Sequence, residues 1–164
     1  MKVLITGATG FVGRHLVKRL KNENVEVTEL NSTNFDSMWS LEKNSFDCII
    51  HLAVKTAAGG YCQNHPGEQW IVNSSINVDM LAYWQQYQQR ATMITFGSSC
   101  GYNDKIKKIE PNYLKGEPET GYEVYGTIKR NLLTGLSALK KEFYMDFRYL
   151  IPSVFYGPEY DLND

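Results

Sequence analysis

The chain has 164 residues, 43% of them hydrophobic and 21% charged, and a net charge of −1. That is enough for one domain with its own core. A near-neutral balance gives no footing for nucleic acid or an anionic membrane as the main partner. The three cysteines, Cys48, Cys62 and Cys100, stand at no metal-ligand spacing. An odd thiol count without a signal peptide reads as a reduced, cytoplasmic protein. The apolar run Val3 to Ile5 is too short for a targeting segment or a membrane span, and there are no internal repeats.

Lys2 to Thr6 is a short β-rich run, expected to be a buried strand. It passes directly into Gly7-Ala8-Thr9-Gly10-Phe11-Val12-Gly13 and then into a helical pattern. Phe11, Val12, Leu16, Val17 and Leu20 share the inward face; Arg14, Lys18, Arg19 and Lys21 share the outward one. Strand, glycine turn, helix is the context a dinucleotide fingerprint requires. Gly7 allows the tight turn, and Gly10 lets backbone N–H groups approach a pyrophosphate at the helix N-terminus. Gly13 lets the helix pack close to the strand. With Thr9, Phe11 and Val12 these glycines form the candidate dinucleotide-binding turn.

Val25 to Leu30 reads as the second strand. An acidic residue at its end binds the adenosine ribose and favours NAD. Here the end is Glu29-Leu30-Asn31. Glu29 either takes that role or is solvated. Asn31 can tolerate a phosphate instead, with Arg14 as its charge partner, so NAD and NADP both stay open. Asn34 to Lys43 is expected to be a short helix, with Asp36 either against the adenine or a first-turn carboxylate.

Phe46 to Ala53 is the third strand, a continuous apolar run suited to a parallel sheet. Leu52, Ala53 and the small residues Ala57 to Gly60 leave room for a cofactor at the strand ends. His51 reads as a packed, hydrogen-bonded residue in preference to a catalyst. Lys55 is either a ribose or phosphate contact or a solvated loop lysine. Pro66 to Gln89 reads as one long helix with an apolar stripe of Trp70, Val72, Ile76, Val78, Leu81, Ala82 and Trp84. Asn77, near that stripe, either braces the neighbouring strand or faces solvent.

Ala91 to Phe96 is the fourth strand. It ends in Gly97-Ser98-Ser99-Cys100-Gly101-Tyr102, small polar residues at a carboxyl edge, where open α/β sheets bind ligands. Asn103 to Thr120 is a long loop of the kind that is either functional or mobile. A helix from about Tyr122 to Glu142 follows, then a strand from Phe147 to Ile151. The whole pattern predicts an α/β fold, a Rossmann-type doubly wound parallel sheet over residues 1–152.

Tyr125 and Lys129 lie four apart, one turn apart on one helix face. A phenol titrates near ~10, and a nearby ammonium favours the phenolate. Bringing it to about 7 takes roughly 4 kcal/mol. One exposed charge pair supplies less than that, so a second charge such as a cationic nicotinamide has to add the remainder. On its own this spacing describes a solvated helix face. The glycine turn at the other end of the chain gives it weight.

Gly7 to Gly13, His51-Leu52-Ala53, Asn77-Val78, Ser98, Tyr125-Gly126-Thr127-Ile128-Lys129 and Tyr156-Gly157-Pro158 form an ordered set. Across nearly the whole chain this set resembles the extended short-chain dehydrogenase/reductases, of the NAD-dependent epimerase/dehydratase type that acts on nucleotide sugars. The resemblance implies that Tyr125 is the acid/base for a sugar hydroxyl. It implies that Lys129 binds the nicotinamide ribose and lowers the Tyr125 pKa, and that Ser98 is the catalytic Ser/Thr. It further implies NAD or NADP as hydride carrier, NADP being favoured, and a nucleotide-diphosphate sugar as substrate. Members often dimerise through the two long helices.

Within the family, 4,6-dehydratases carry an Asp-Glu pair directly after the catalytic Ser/Thr. Ser99 and Cys100 stand there instead, which disfavours dehydration. Gly97 to Cys100, with Lys55 and Gly59-Gly60, looks most like the epimerase-reductases of the GDP-L-fucose synthase type, which use NADPH. In those the cysteine takes part in proton exchange, so Cys100 is a further catalytic candidate; the alternative is a small packed residue. Members continue past the Tyr-Gly-Pro motif into a substrate domain. Residues 153–164 are therefore expected to begin a substrate-binding region largely absent from this chain. The competing reading is a non-catalytic, dinucleotide-binding redox-sensor module of the same fold.

Overall fold

Val3, Leu4 and Ile5 are successive residues with essentially no exposure. Successive strand residues point to opposite faces, so a strand buried on every residue is covered on both sides. The computed structural model, which describes residues 1–57 and 60–158, shows that arrangement. Strands β1 (Lys2–Thr6), β2 (Glu26–Leu30), β3 (Cys48–His51), β4 (Thr92–Phe96) and β5 (Phe147–Leu150) form one sheet in the order β2-β1-β3-β4-β5. Every neighbouring pair is parallel.

Helices α1 (Phe11–Asn22), α2 (Tyr61–Asn64), α3 (Pro66–Tyr87) and α4 (Glu123–Phe143) connect the strands. The chain runs outward from β1 to β2, then back across to β3, β4 and β5. Right-handed crossovers in opposite directions put helices on opposite faces. One core accordingly joins Val3 and Ile5 to Val17 of α1. The other joins Leu4, Ile49 and Met93 to Met80, Tyr83 and Trp84 of α3 and Leu132 and Leu136 of α4. The order reverses between β1 and β3, and ligands in doubly wound sheets bind at the carboxyl ends beside such a reversal.

Two expectations change, and a third, left open between two alternatives, gains a description. The helix expected over Asn34 to Lys43 is a 3₁₀ turn, Phe35–Ser40. Short polar side chains claim the local backbone: Asn34 Oδ1 accepts from Asn31 N–H, and the Ser37 and Ser40 hydroxyls donate to the carbonyls of Asn34 and Ser37. Such bonds compete with helix. Met38 still plugs the core with no exposure. Among the described residues no strand lies beyond β2, and the sheet has the shorter of the two common doubly wound orders.

The α3 stripe is also different. Trp70 and Val78 are exposed, while Gln69, Asn73, Met80, Tyr83 and Trp84 are buried. The first half of the inner face is polar because it meets the backbone and side chains at the strand ends, not the apolar sheet. Lastly, the Asn103 to Thr120 loop is tethered. Arg130 donates to the carbonyls of Gly101, Gly116 and Lys115 at 2.6, 2.5 and 3.2 Å. Lys108 pairs with Glu119 at 2.9 Å, and Tyr113 is buried.

Beyond β5 the chain folds back over the sheet edge. The Phe155 ring meets Phe96 edge-on at 5.4 Å. His15 Nε2 donates to the Pro158 carbonyl at 3.1 Å. Ala58, Gly59 and residues 159–164 lie outside the described residues. Among the described residues no helix is long and apolar enough to cross a membrane, and no cluster of ligating side chains could hold a metal.

Candidate active site

The β1–α1 turn is built for close approach. Gly7 has φ +66°, and a Cβ there would stand 2.8 Å from the Ala53 nitrogen, so the turn lies flat on the exit of β3. A Cβ on Gly13 would overlap the Gly7 carbonyl oxygen. Gly10 caps α1 without a side-chain bond, and the first helical turn holds no acidic residue. The positive end of a full-length helix is thus left to its bare N–H groups, as a pyrophosphate requires. The residues present fit a dinucleotide.

Phe11 and Val12 border a cleft closed by Phe155 to Pro158 on one side of this turn. Thr9 borders a second cleft, with Arg14, Lys18, Lys21 and Glu29. The Arg14 guanidinium carbon lies 5.6 Å from the Phe11 ring centre. Glu29 is paired with Lys21 at 2.6 Å. Asn31 Oδ1 accepts from the Thr33 N–H and hydroxyl, which shapes the turn after β2. Asp36 is exposed in the first turn of the 3₁₀ segment.

At the end of β3, the His51 ring is buried between two partners. Its Nε2 is 3.2 Å from Asn77 Oδ1, an acceptor, so Nε2 carries the proton. Its Nδ1, 2.7 Å away, therefore accepts from the Thr6 hydroxyl. Burial, aided by the charge of Lys129, holds the His51 pKa down to about 4. His51 is a neutral strut, and Asn77 is the brace. Leu52 and Ala53 lie half-buried at the edge beside Gly7. Asn73 clamps the backbone of Lys55 through both its N–H and its carbonyl. The Lys55 ammonium is exposed and 3.4 Å from Glu68.

The β4 end meets α4 through a glycine. A Cβ on Gly126 would stand 2.5 Å from the Cys100 carbonyl oxygen and 2.6 Å from Pro118 Cβ. Only glycine lets the first turn of α4 sit directly on the 3₁₀ turn Ser99–Gly101. That contact brings Tyr125 and Lys129 to the segment carrying Ser98 and Cys100. Ser98 Oγ accepts from the Cys100 N–H at 3.3 Å. The Lys129 ammonium is buried, donates to the Phe96 carbonyl at 3.1 Å and lies 5.7 Å from the Tyr125 ring centre.

Desolvation lowers the Lys129 pKa to about 8. The Tyr125 phenol is pushed well above its ordinary range, by burial first and then by the neighbouring thiols of Cys62 and Cys100 and by Tyr113. Lys129 was expected to lower that pKa. Here its ammonium is directed at a backbone carbonyl, and burial dominates the phenol. Burial likewise raises the Cys100 thiol, against the hydrogen bond to Ser98.

Cys62 is a neighbour the sequence reading missed. Gln69 Nε2 donates to its sulfur at 3.4 Å, and Asn73 Nδ2 lies 3.4 Å from Gln69 Oε1. The available signal was the Gln69–Asn73 pair, two amides one turn apart on a helix otherwise rich in apolar residues.

Residues 3–164 match the model of the NAD dependent epimerase/dehydratase family. The chain belongs to that family. This family member is similar to GDP-L-colitose synthase of Yersinia pseudotuberculosis, 26% identical over 175 residues, 100% of this chain and 56% of the synthase.

Three solved structures share its fold. GDP-6-OMe-4-keto-L-xylo-heptose reductase from C. jejuni has a TM-score of 0.84 at 16% identity, covering 98% of this chain and 48% of that one. GDP-L-fucose synthetase from Naegleria fowleri bound to NADP has a TM-score of 0.80 at 22% identity, covering 96% and 55%. Thermus thermophilus UDP-glucose 4-epimerase in complex with NAD has a TM-score of 0.77 at 19% identity, covering 98% and 58%. The chain spans about half the length of these relatives.

Proposed function

We propose that this chain is the cofactor-binding part of a nucleotide-sugar epimerase or reductase that moves hydride between NAD(P) and a sugar carbon. Residues 1–152 form the dinucleotide-binding domain, and residues 153–164 lead into the substrate-binding region. The observation that carries the reading is the Gly126 contact. It sets Tyr125 and Lys129 against the Ser98–Cys100 turn, at the same carboxyl edge as the uncapped glycine turn.

The family's cofactor supplies the hydride when bound. Gly7, Thr9, Gly10, Phe11, Val12 and Gly13 would hold its pyrophosphate side, Leu52, Ala53 and Lys55 the β3 edge, and Asn31 and Asp36 the adenosine side. Tyr125 keeps its proton at neutral pH, because its phenol titrates above the ordinary range. It is therefore set to donate to a sugar carbonyl oxygen that gains charge as the carbon is reduced. Ser98 steadies that oxygen with its hydroxyl, and Cys100, a protonated thiol, exchanges a proton at the adjacent carbon. Lys129, with a pKa of about 8, is mostly cationic at pH 7 and binds the ribose.

NADP is favoured over NAD. The Glu29 carboxylate, which would repel an added phosphate, is neutralised by Lys21, and Arg14 and Lys18 line the same cleft. The substrate is a nucleotide-diphosphate sugar. The free thiols of Cys48, Cys62 and Cys100 fit a cytoplasmic protein. Trp70, Ile71 and Val78 are 44%, 69% and 61% exposed on α3, which supports a homodimer through α3 and α4. Calorimetric titration with NADPH and NADH tests the cofactor assignment. NADPH is expected to bind at least about tenfold tighter, since a phosphate among cations adds over ~1 kcal/mol. Equal or tighter NADH binding contradicts it.

A further inference from the structure

We propose that Tyr113 and Tyr149 form a one-way hydrogen-bond wire that locks Ser98 to Lys129 and acts as the positioning device of the reaction site. The direction follows from the ends. Tyr149 Oη is 2.7 Å from the Lys129 carbonyl oxygen, which can only accept, so the Tyr149 proton goes there. The two phenol oxygens are 3.2 Å apart, so Tyr113 must donate to Tyr149. The Tyr113 oxygen in turn accepts from the Ser98 N–H at 3.3 Å. Each hydroxyl uses its single proton and accepts one.

The glycines flanking Ser98 serve this wire. A Cβ on Gly97 would stand 2.6 Å from the Tyr149 ring, and one on Gly101 would overlap Tyr113. The space that a side chain would take at Gly97 and Gly101 is therefore filled by these two rings. Arg130, the next residue after Lys129, donates to the Gly101 carbonyl and ties the same two segments from the other side. Burial raises the pKa of both phenols, so the wire keeps its protons through the neutral range. A packed aromatic cluster would need only the rings; a wire needs the hydroxyls. Loss of the Tyr113 hydroxyl takes away the acceptor of the Ser98 N–H, and loss of the Tyr149 hydroxyl takes away the acceptor of the Tyr113 proton.

The positioning role rests on the proposed function, whereas the wire does not. The test uses the chain with Tyr113→Phe, Tyr149→Phe and both together. Two readouts need no activity: exchange of the Ser98 amide with solvent, and titration of the Lys129 ammonium by NMR of labelled lysine. Each substitution is judged at the end it does not touch. Tyr149→Phe is expected to speed Ser98 exchange by about tenfold, and Tyr113→Phe to move the Lys129 titration up toward the ordinary lysine range as water gains access. The double variant is expected to differ little from the larger single, because each single breaks the same chain. Tyr102→Phe, whose ring packs on Tyr113 at 5.0 Å outside the wire, serves as the control and leaves both readouts unchanged. The wire is overturned if the far-end readouts stay at their wild-type values, or if the single effects multiply in the double variant. Either single variant suffices if the other does not fold. In turnover, each single is expected to lower kcat by about fivefold or more at unchanged cofactor KM. Unchanged kcat overturns the positioning role alone. No nucleotide-sugar turnover by the complete wild-type protein overturns the enzyme reading, and with it the positioning role, and leaves the wire to its own readouts.

Discussion

Replacing Lys129 by methionine is expected to stabilise the protein and disable it. Among the described residues the buried ammonium is paired with no carboxylate, and its partner is the Phe96 carbonyl. Its pKa of about 8, against an ordinary 10.5, measures what the fold gives up to keep the charge. At ~1.36 kcal/mol per unit that is roughly 3 kcal/mol at neutral pH. Methionine fills a similar volume and forfeits one hydrogen bond, about 1 kcal/mol. The net gain is about 2 kcal/mol, or roughly 4–8 °C in Tm for a chain of this size.

The pH dependence fixes the cause. A lysine whose folded pKa is depressed destabilises the fold fully below about 8, and the cost fades as pH rises toward 10.5. Urea unfolding of both proteins at pH 7 and pH 10 is the assay, and the advantage of the variant is expected to shrink at the higher pH. A Lys129→Met protein less stable than wild type at pH 7, or an advantage that does not shrink, would refute the reasoning. A charge retained against stability is what a reaction site requires.

The buried neutral His51 gives the same sign in a lower window. Its folded pKa of about 4 lies below the ordinary 6.5, so its contribution is present above 6.5 and is lost as pH falls toward 4. Wild type is expected to lose up to roughly 3 kcal/mol across that window relative to His51→Gln, read from urea midpoints; parallel curves would contradict this. Ile71→Glu with Val78→Glu, placing charge on the exposed face of α3, is expected to halve the sedimenting mass while leaving the far-ultraviolet spectrum unchanged. An unchanged mass would move the dimer interface elsewhere.

Much of the fold was legible because its signals are local. A continuous apolar run, three glycines at the right offsets and a helical pattern already define β1, its turn and α1. The Asn34 to Lys43 segment misled because its apolar spacing matches a helix while its serines and asparagines bond their own backbone. The α3 stripe misled because periodicity reports apolar residues, not which face they meet. Gln69 and Asn73 are buried, and Asn77 half-buried, because strand ends and loops present unpaired polar groups there, and that is a tertiary fact.

The site was legible as a set of residue types, not as a set of partners. Tyr125 and Lys129 share a face as their spacing implies, yet the lysine turns to the Phe96 carbonyl. Gly126 between them was given no role of its own by the sequence and is the contact that docks α4 on the Cys100 carbonyl. Tyr113 and Tyr149, 36 positions apart, carry no spacing signal at all, because only the fold of the loop against β5 joins them.

The most direct test of the acid/base assignment is Tyr125→Phe in the protein expressed from its full reading frame. Turnover of a nucleotide-diphosphate sugar is followed by NADPH absorbance, alongside calorimetric NADPH affinity. Loss of the proton donor is expected to lower kcat by roughly 10²–10⁴ with cofactor affinity nearly unchanged. Wild-type turnover in that variant would contradict the account.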